Sequence, residues 1–188
     1  MAALVAAACA GCASAPAGGG PGRPAAGPMM GSGAMAGMMG GAMAVATLTP
    51  TLGSTVRGVV MFHQMDGHLM VHAKLSGLAP NTEHGFHVHE TGSCASADGA
   101  SAGGHFNPGS QPHGPQDHAH HAGDLPSLKA DSQGAVDKKF VLDGPTLGAG
   151  AASLLGRSVI VHAQPDDYTT QPSGNSGERV ACGVIAAF

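Results

Sequence analysis

From about Ala44 onward the chain is a succession of short apolar runs broken by Gly, Asp or Pro. In "AVATLTP", "TVRGVVMFHQ" and "HLMVHAKLSG" apolar and polar positions partly alternate, the period that puts one face of a strand in a core and the other in solvent. Asp66-Gly67 between the second and third runs is a hairpin-turn dipeptide, so the three predict an antiparallel meander. "HGFHVHE" predicts a fourth strand, and strand texture returns in "AVDKKFVL", "RSVIVHA" and "VACGVIAAF". No segment sustains a 3.6-residue period. Short strands with turn signals between them predict an all-β sandwich or barrel. From Thr91 to Pro126 the strand pattern lapses for longer than loops in compact domains ordinarily run. Something besides the backbone must order that stretch, and a metal ion would do so.

The N-terminal portion has a different texture. "MAALVAAACAGCASAPAGGG" is an apolar run followed by small residues, too short to span a bilayer. Residues 1–20 are therefore expected to be a signal or lipoprotein-type targeting segment. Small residues precede both Cys9 and Cys12, as at a lipoprotein cleavage site, although neither cysteine has a leucine three residues upstream. Residues 21–42 are Gly-, Ala- and Met-rich with Arg23 as their one charge, which predicts a disordered linker. Its stretch "PMMGSGAMAGMMGGAM" reads as a low-complexity tether, or as thioethers suited to capturing Cu(I). Residues 43–188 are expected to form the folded domain.

Composition narrows the function classes. Among 188 residues there are 31 Gly and 13 Pro, which favours turns over long helices. The net charge of −4 excludes the basic footprint of a nucleic-acid binder. Twelve His stand against a single Tyr, and histidine is the commonest metal ligand. Cys94 and Cys182 are far apart and lack C-x-x-C spacing, which argues against a zinc knuckle.

His87 and His89 fall at i and i+2 of the fourth strand, so both imidazoles face one side and can converge on one ion. Alone, that pair is weak in so histidine-rich a chain. His105 opens "HFNP", His113 follows, "HHAGD" places His121 and Asp124 at i and i+3, and His162 ends "VIVH". Six imidazoles and one carboxylate suit copper and zinc, and the carboxylate fits a closed tetrahedral zinc site. His63, His68 and His72 have no motif partners and read as surface or turn residues, and His84 as a structural one. His118 and His120 are spare imidazoles beside the loop ligands, where an accessory metal-loading role is a further expectation. His121 is preferred to His120 because it alone keeps H-x-G-D spacing.

In order and spacing, "GFHVHE", "GGHFNP", "HGP", "HAGDL", "GRSVIVHA" and "GERVACGVI" resemble the motifs of copper–zinc superoxide dismutases of the bacterial secreted type. The resemblance covers about residues 43–188. It implies a Greek-key β-sandwich, a flattened eight-stranded barrel with long metal-binding and electrostatic loops. It implies one copper per chain on His87, His89, His105 and His162, and one zinc on His105, His113, His121 and Asp124, with His105 bridging. It further implies Asp166 as a carboxylate linking a copper ligand to a zinc ligand, Arg179 as the active-site arginine and a Cys94–Cys182 disulfide. The expected substrate is superoxide, dismuted to oxygen and peroxide, with Arg179 and His105 as catalytic residues. The expected location is extracytoplasmic, periplasmic or tethered to a membrane surface through a lipidated Cys9 or Cys12, and relatives occur as monomers and homodimers.

Two features depart from that pattern. Arg23 is the only charge before residue 43, so the remainder sets seven Lys/Arg against all twelve Asp/Glu, a balance that repels an anion at long range. The segments Cys94–His105 and "TTQPSGNSGE" hold no lysine, and Glu178 sits beside Arg179. Slower or less salt-sensitive association is expected. The rival reading is a periplasmic copper buffer on the same fold, which has no use for an anion-docking Arg179. A zinc hydrolase is a poorer fit, for want of a general-base carboxylate beside an open zinc position.

Overall fold

The computed structural model describes residues 41–188. Alternation sets the first layer. Strand β1 (Met43–Pro50) buries Ala44, Ala46 and Leu48, β2 (Arg57–Gln64) buries Val60 and Phe62, and β3 (His68–Ser76) buries Leu69, Val71, Ala73 and Leu75. Met65 N–H donates to His68 O (2.8 Å), so Asp66 and Gly67 make the turn, with Gly67 at φ +85°. Each large apolar side chain wholly buried in this way stabilises the fold by about 1.5–3 kcal/mol.

Two-residue β4 (Glu83–His84) is followed by β5 (Phe86–His89), β6 (Leu128–Lys129), β7 (Val136–Asp143), β8 (Ser158–His162), β9 (Arg179–Val184) and β10 (Ala186–Ala187). The only helical element among the described residues is a 3-10 turn at Ala100–Ala102. The main sheet runs β5-β8-β9-β1-β2-β3-β7, with β10 also on β1, and every strand pair is antiparallel. β1 joins the two layers: its first six residues pair with β2 and its last two with β9. β7 returns beside β3 while β8 lies between β5 and β9, a Greek-key crossing that curls the sheet around one core.

The all-β expectation agrees with this architecture, and two details differ. "HGFHVHE" is divided between two elements: His84 ends β4, which pairs with β6, whereas Phe86–His89 pairs with β8. β6 and β10 are too short to leave a periodic trace in the sequence.

Candidate metal centre

All four residues of β5 are buried. Phe86 and Val88 enter the main core, so alternation turns His87 and His89 to the opposite face of the sheet. β8 behaves alike: Val159 and Val161 enter that core, while Ile160 packs with Ala102, Cys182 and half-buried Cys94 in a second cluster. The second face is buried because the long loop lies over it. A disulfide joins Cys94 to Cys182. The Arg157 guanidinium stands 4.3 Å over the Phe106 ring and donates to Glu90 O. Phe106 N–H donates to Val88 O and Gly123 N–H to Phe106 O, each at 2.8 Å. A Cβ at Gly123 would stand 2.2 Å from Val88 O, so only glycine lets this loop approach β5. That contact is the physical content of the H-x-G-D spacing.

The loop carries its ligand candidates to the strand candidates. Bridges pair His89 with His105 and His87 with Asp124. Donor atoms of His87, His89, His105 and His162 lie within 4.8 Å of one another, and so do those of His105, His113, His121 and Asp124. His105 belongs to both sets. Its Nδ1 lies 2.9 Å from Asp124 Oδ1 and 3.4 Å from His121 Nδ1. His113 Nδ1 lies 3.0 Å from Asp124 Oδ2. Asp166 joins the two sets from behind, accepting from His87 Nε2 at 2.6 Å and from His113 Nε2 at 2.8 Å.

Whether these residues fit two metals is decided by what their other nitrogens do. His87 Nδ1, His89 Nε2, His105 Nε2 and His162 Nε2 are buried with no hydrogen-bond partner, and buried His113 Nδ1 faces Asp124 Oδ2. A buried polar atom left alone costs about 1–3 kcal/mol. The opposite nitrogens of His87 and His113 are held by Asp166, that of His89 by Gly103 O (2.9 Å), and that of His162 by Gly177 O (3.2 Å). On His87, His89 and His162 those bonds fix the tautomer and leave a lone pair on the converging atom, the usual arrangement behind a metal-bound histidine. The four-imidazole set suits copper and the three-imidazole, one-carboxylate set suits zinc.

The electrostatics agree. Burial keeps three imidazoles of the four-histidine set neutral, lowering His87 to about 4 against the opposing hydrogen bond to Asp166, His89 to about 2 and His162 to about 3. Burial also opposes charge on His113, but hydrogen bonds to Asp124 and Asp166 outweigh it and raise the ring to about 9. Although burial opposes them as well, the carboxyls of Asp124 and Asp166 are held below the ordinary range by hydrogen bonds, from His105 and His113 for Asp124 and from His113 and His87 for Asp166. The carboxylates therefore stay ionised.

A pocket of about 460 Å³ opens onto this cluster, lined by His89, His105, His121 and His162, with Arg179 the one Lys or Arg in its wall. Arg179 donates to Gly99 O and Gly103 O, both at 2.7 Å, so the guanidinium is clamped by two carbonyls of the disulfide-bonded loop. Gly103 O thus serves both Arg179 and His89. Burial lowers the arginine's affinity for its proton, yet a guanidinium stays charged at physiological pH.

Two neighbours, Gln171 and Gly174, carried no sequence signal. Gln171 brackets the His113 backbone, donating to its carbonyl at 2.9 Å and accepting from its N–H at 2.8 Å. Gly174 packs its backbone against Asp166 and His113. His84 Nδ1 donates to His162 O (2.8 Å), a structural bond to the strand that ends at that residue. His118 and His120 belong to neither set: the first bonds exposed Asp117 and the second bonds His118 O. Cys9, Cys12 and the segments 1–20 and 21–40 lie outside the described residues.

Fold and site together define a class: a Greek-key β-sandwich carrying two candidate metal-ligand sets that share one imidazole. The copper/zinc superoxide dismutase family matches residues 56–185, and the chain belongs to that family. It is 39% identical over 129 residues to the copper–zinc superoxide dismutase 1 of Aquifex aeolicus, covering 65% of this chain and 75% of that protein. It is 39% identical over 140 residues to the superoxide dismutase-like protein YojM of Bacillus subtilis, covering 71% and 70%. The crystal structure of the clock protein EA4 superposes with a TM-score of 0.71 at 36% identity, covering 81% of this chain and 98% of that one.

Proposed function

We propose that this protein dismutes superoxide to oxygen and hydrogen peroxide outside the cytoplasm, using copper for a one-electron cycle and zinc for structure. The carrying observation is a cluster of four unpartnered imidazole nitrogens, three of them (on His89, His105 and His162) belonging to residues that line the same pocket as Arg179. Fold alone does not choose among functions, since the sandwich also serves a clock protein. A copper buffer needs the nitrogens but has no need of Arg179, and that residue favours the enzyme.

Copper, held by His87, His89, His105 and His162, would supply the one-electron chemistry that dismutation needs, and zinc would have no redox role. Arg179 docks the anion with a planar donor fork, kept aimed by its two carbonyl partners. Nε2 of His105 would hold one of the two protons that hydrogen peroxide requires and deliver it as peroxide leaves, the second coming from water in the open pocket. His113, His121 and Asp124 would hold zinc together with His105 and so keep that ring in place. Asp166 holds His87 and His113 in their tautomers.

The disulfide supports an oxidising compartment. Residues 1–20 act on this reading as the targeting segment, with Cys9 or Cys12 the lipid acceptor, and 21–42 as a tether. Intact mass of the protein purified from its native membrane fraction tests that part; an uncleaved, unmodified N-terminus sinks it. For the chemistry, protein loaded with one copper and one zinc is expected to consume superoxide in pulse radiolysis. Arg179→Ile is expected to lower the rate constant at least about tenfold with metal content unchanged. Loaded protein that leaves superoxide to its spontaneous decay refutes the enzyme.

A further inference from the structure

The described residues include four methionines, Met43, Met61, Met65 and Met70, and all lie on β1–β3 or in the turn between β2 and β3. His63, His68 and His72, which the metal centre leaves unused, lie on the same strands. The side on which these residues stand follows from alternation. Ala44, Phe62 and Val71 point into the core, so Met43, His63 and Met70 point outward with Met61 and His72, partly exposed. The outer face of an antiparallel sheet is ordinarily polar. Here its centre is built of thioethers and imidazoles.

Register sets them side by side. Met43 lies opposite His63, and His63 lies opposite Met70; in the next outward row Val45, Met61 and His72 are opposite one another. Directly opposed side chains stand about 5 Å apart at Cβ, and diagonal ones remain within reach of long side chains. Met61 is thus diagonal to both Met43 and Met70, and two residues from His63 on the same face. His72 is committed elsewhere, its Nε2 2.6 Å from Asp137 Oδ1. His63 is left as the central imidazole among three thioethers.

We propose that Met43, Met61, Met70 and His63 form a separate binding site for one Cu(I) ion on the outer face of β1–β3. The donor chemistry selects the ion. Thioether sulfur is a soft ligand suited to Cu(I), and imidazole also binds copper. No residue of this set is a carboxylate or thiolate, so zinc gains little there. Flexible methionine side chains close over a cation without moving the strands. Met43 is also the last residue of "PMMGSGAMAGMMGGAM", so the face adjoins in sequence the chain's other thioether-rich stretch.

The test uses full-length protein already loaded with copper and zinc. It is titrated anaerobically with Ag(I), a redox-silent soft ion, while methionine methyl and histidine ring resonances are followed by NMR. The first added equivalent is expected to shift Met43, Met61, Met70 and His63. Met43→Leu/Met70→Leu, a volume-conserving change, is expected to weaken retention of the added Cu(I) against a chromogenic chelator. The loss should be at least about tenfold, since even an outer-shell partner of a metal ligand is worth that much. The visible spectrum of the loaded centre serves as the control for folding. The proposal is overturned if those four residues stay still while Met29, Met30, Met35, Met38 and Met39 take the ion. Unchanged retention in the double variant overturns it as well. Neither readout involves superoxide, so this site and the dismutase reading stand or fall separately.

Discussion

At Gly174 the room for a side chain is already taken: a Cβ would stand 1.9 Å from Asp166 Oδ1 and 2.5 Å from His113 Nε2, and φ is +64°. Gly174→Ala must therefore push Asp166 off the two rings it holds. Zinc affinity is expected to fall by about 10–100-fold, the usual cost of losing the group behind a ligating histidine. Chelator competition measures it, and an unchanged constant refutes the positioning role of this contact. The histidines and Asp124 were legible in the sequence because their chemistry demands particular residue types at particular intervals. Gly174 was not, because its requirement is set by atoms eight and sixty-one positions away, on Asp166 and His113.

Among elements, the loop between β5 and β6 depends on its single covalent tie. Cys94 and Cys182 are 88 residues apart, and removing a link across so long a loop costs about 2–5 kcal/mol. The same loop supplies the Gly99 and Gly103 carbonyls that clamp Arg179. Cys94→Ser/Cys182→Ser is thus expected to lower the urea midpoint and, at equal metal content, the rate with superoxide. A variant that loses stability but keeps the full rate separates the tie from the clamp and refutes their coupling. β1, β2 and β3 were readable from alternation. The break at Gly85 was not, because β4 pairs with β6, just after the long loop, whereas β5 pairs with β8, well beyond it.

At the scale of the whole molecule, charge sets both stability and encounter. Without metals, His87, His89 and His162 have their protonation lowered from the ordinary 6.5 to about 4, 2 and 3 by burial. The unfolded chain therefore binds more protons below 6.5, and stability present above that pH is lost as pH falls toward the folded values. His113, raised to about 9, acts the other way: its contribution is present below 6.5 and lost as pH rises through 9. Urea midpoints of the metal-free protein are expected to peak near neutrality and fall more steeply on the acid side, and a flat acid limb refutes this. For encounter, Arg179 stands alone among basic residues in the pocket wall, with exposed Glu178 next in sequence and Asp98 close enough to act on its charge. The net charge of −4 adds long-range repulsion. Raising salt from roughly 0.01 to 0.15 M is expected to change the superoxide rate constant less than about twofold; a steep fall would show that attraction dominates.

By itself the sequence determined the strand texture, the absence of a basic footprint and which side chains are candidate metal ligands. Those properties are local: residue type, period and spacing are fixed before the chain folds. Tertiary structure alone decided that five imidazole nitrogens lose every partner but one another and Asp124. It also decided that Gly123 and Gly174 admit no Cβ, and that Met43, His63 and Met70 fall in one row. Each of these depends on which strand lies beside which, and register between segments far apart in the chain is set by burial of a shared core rather than by any run of neighbouring residues.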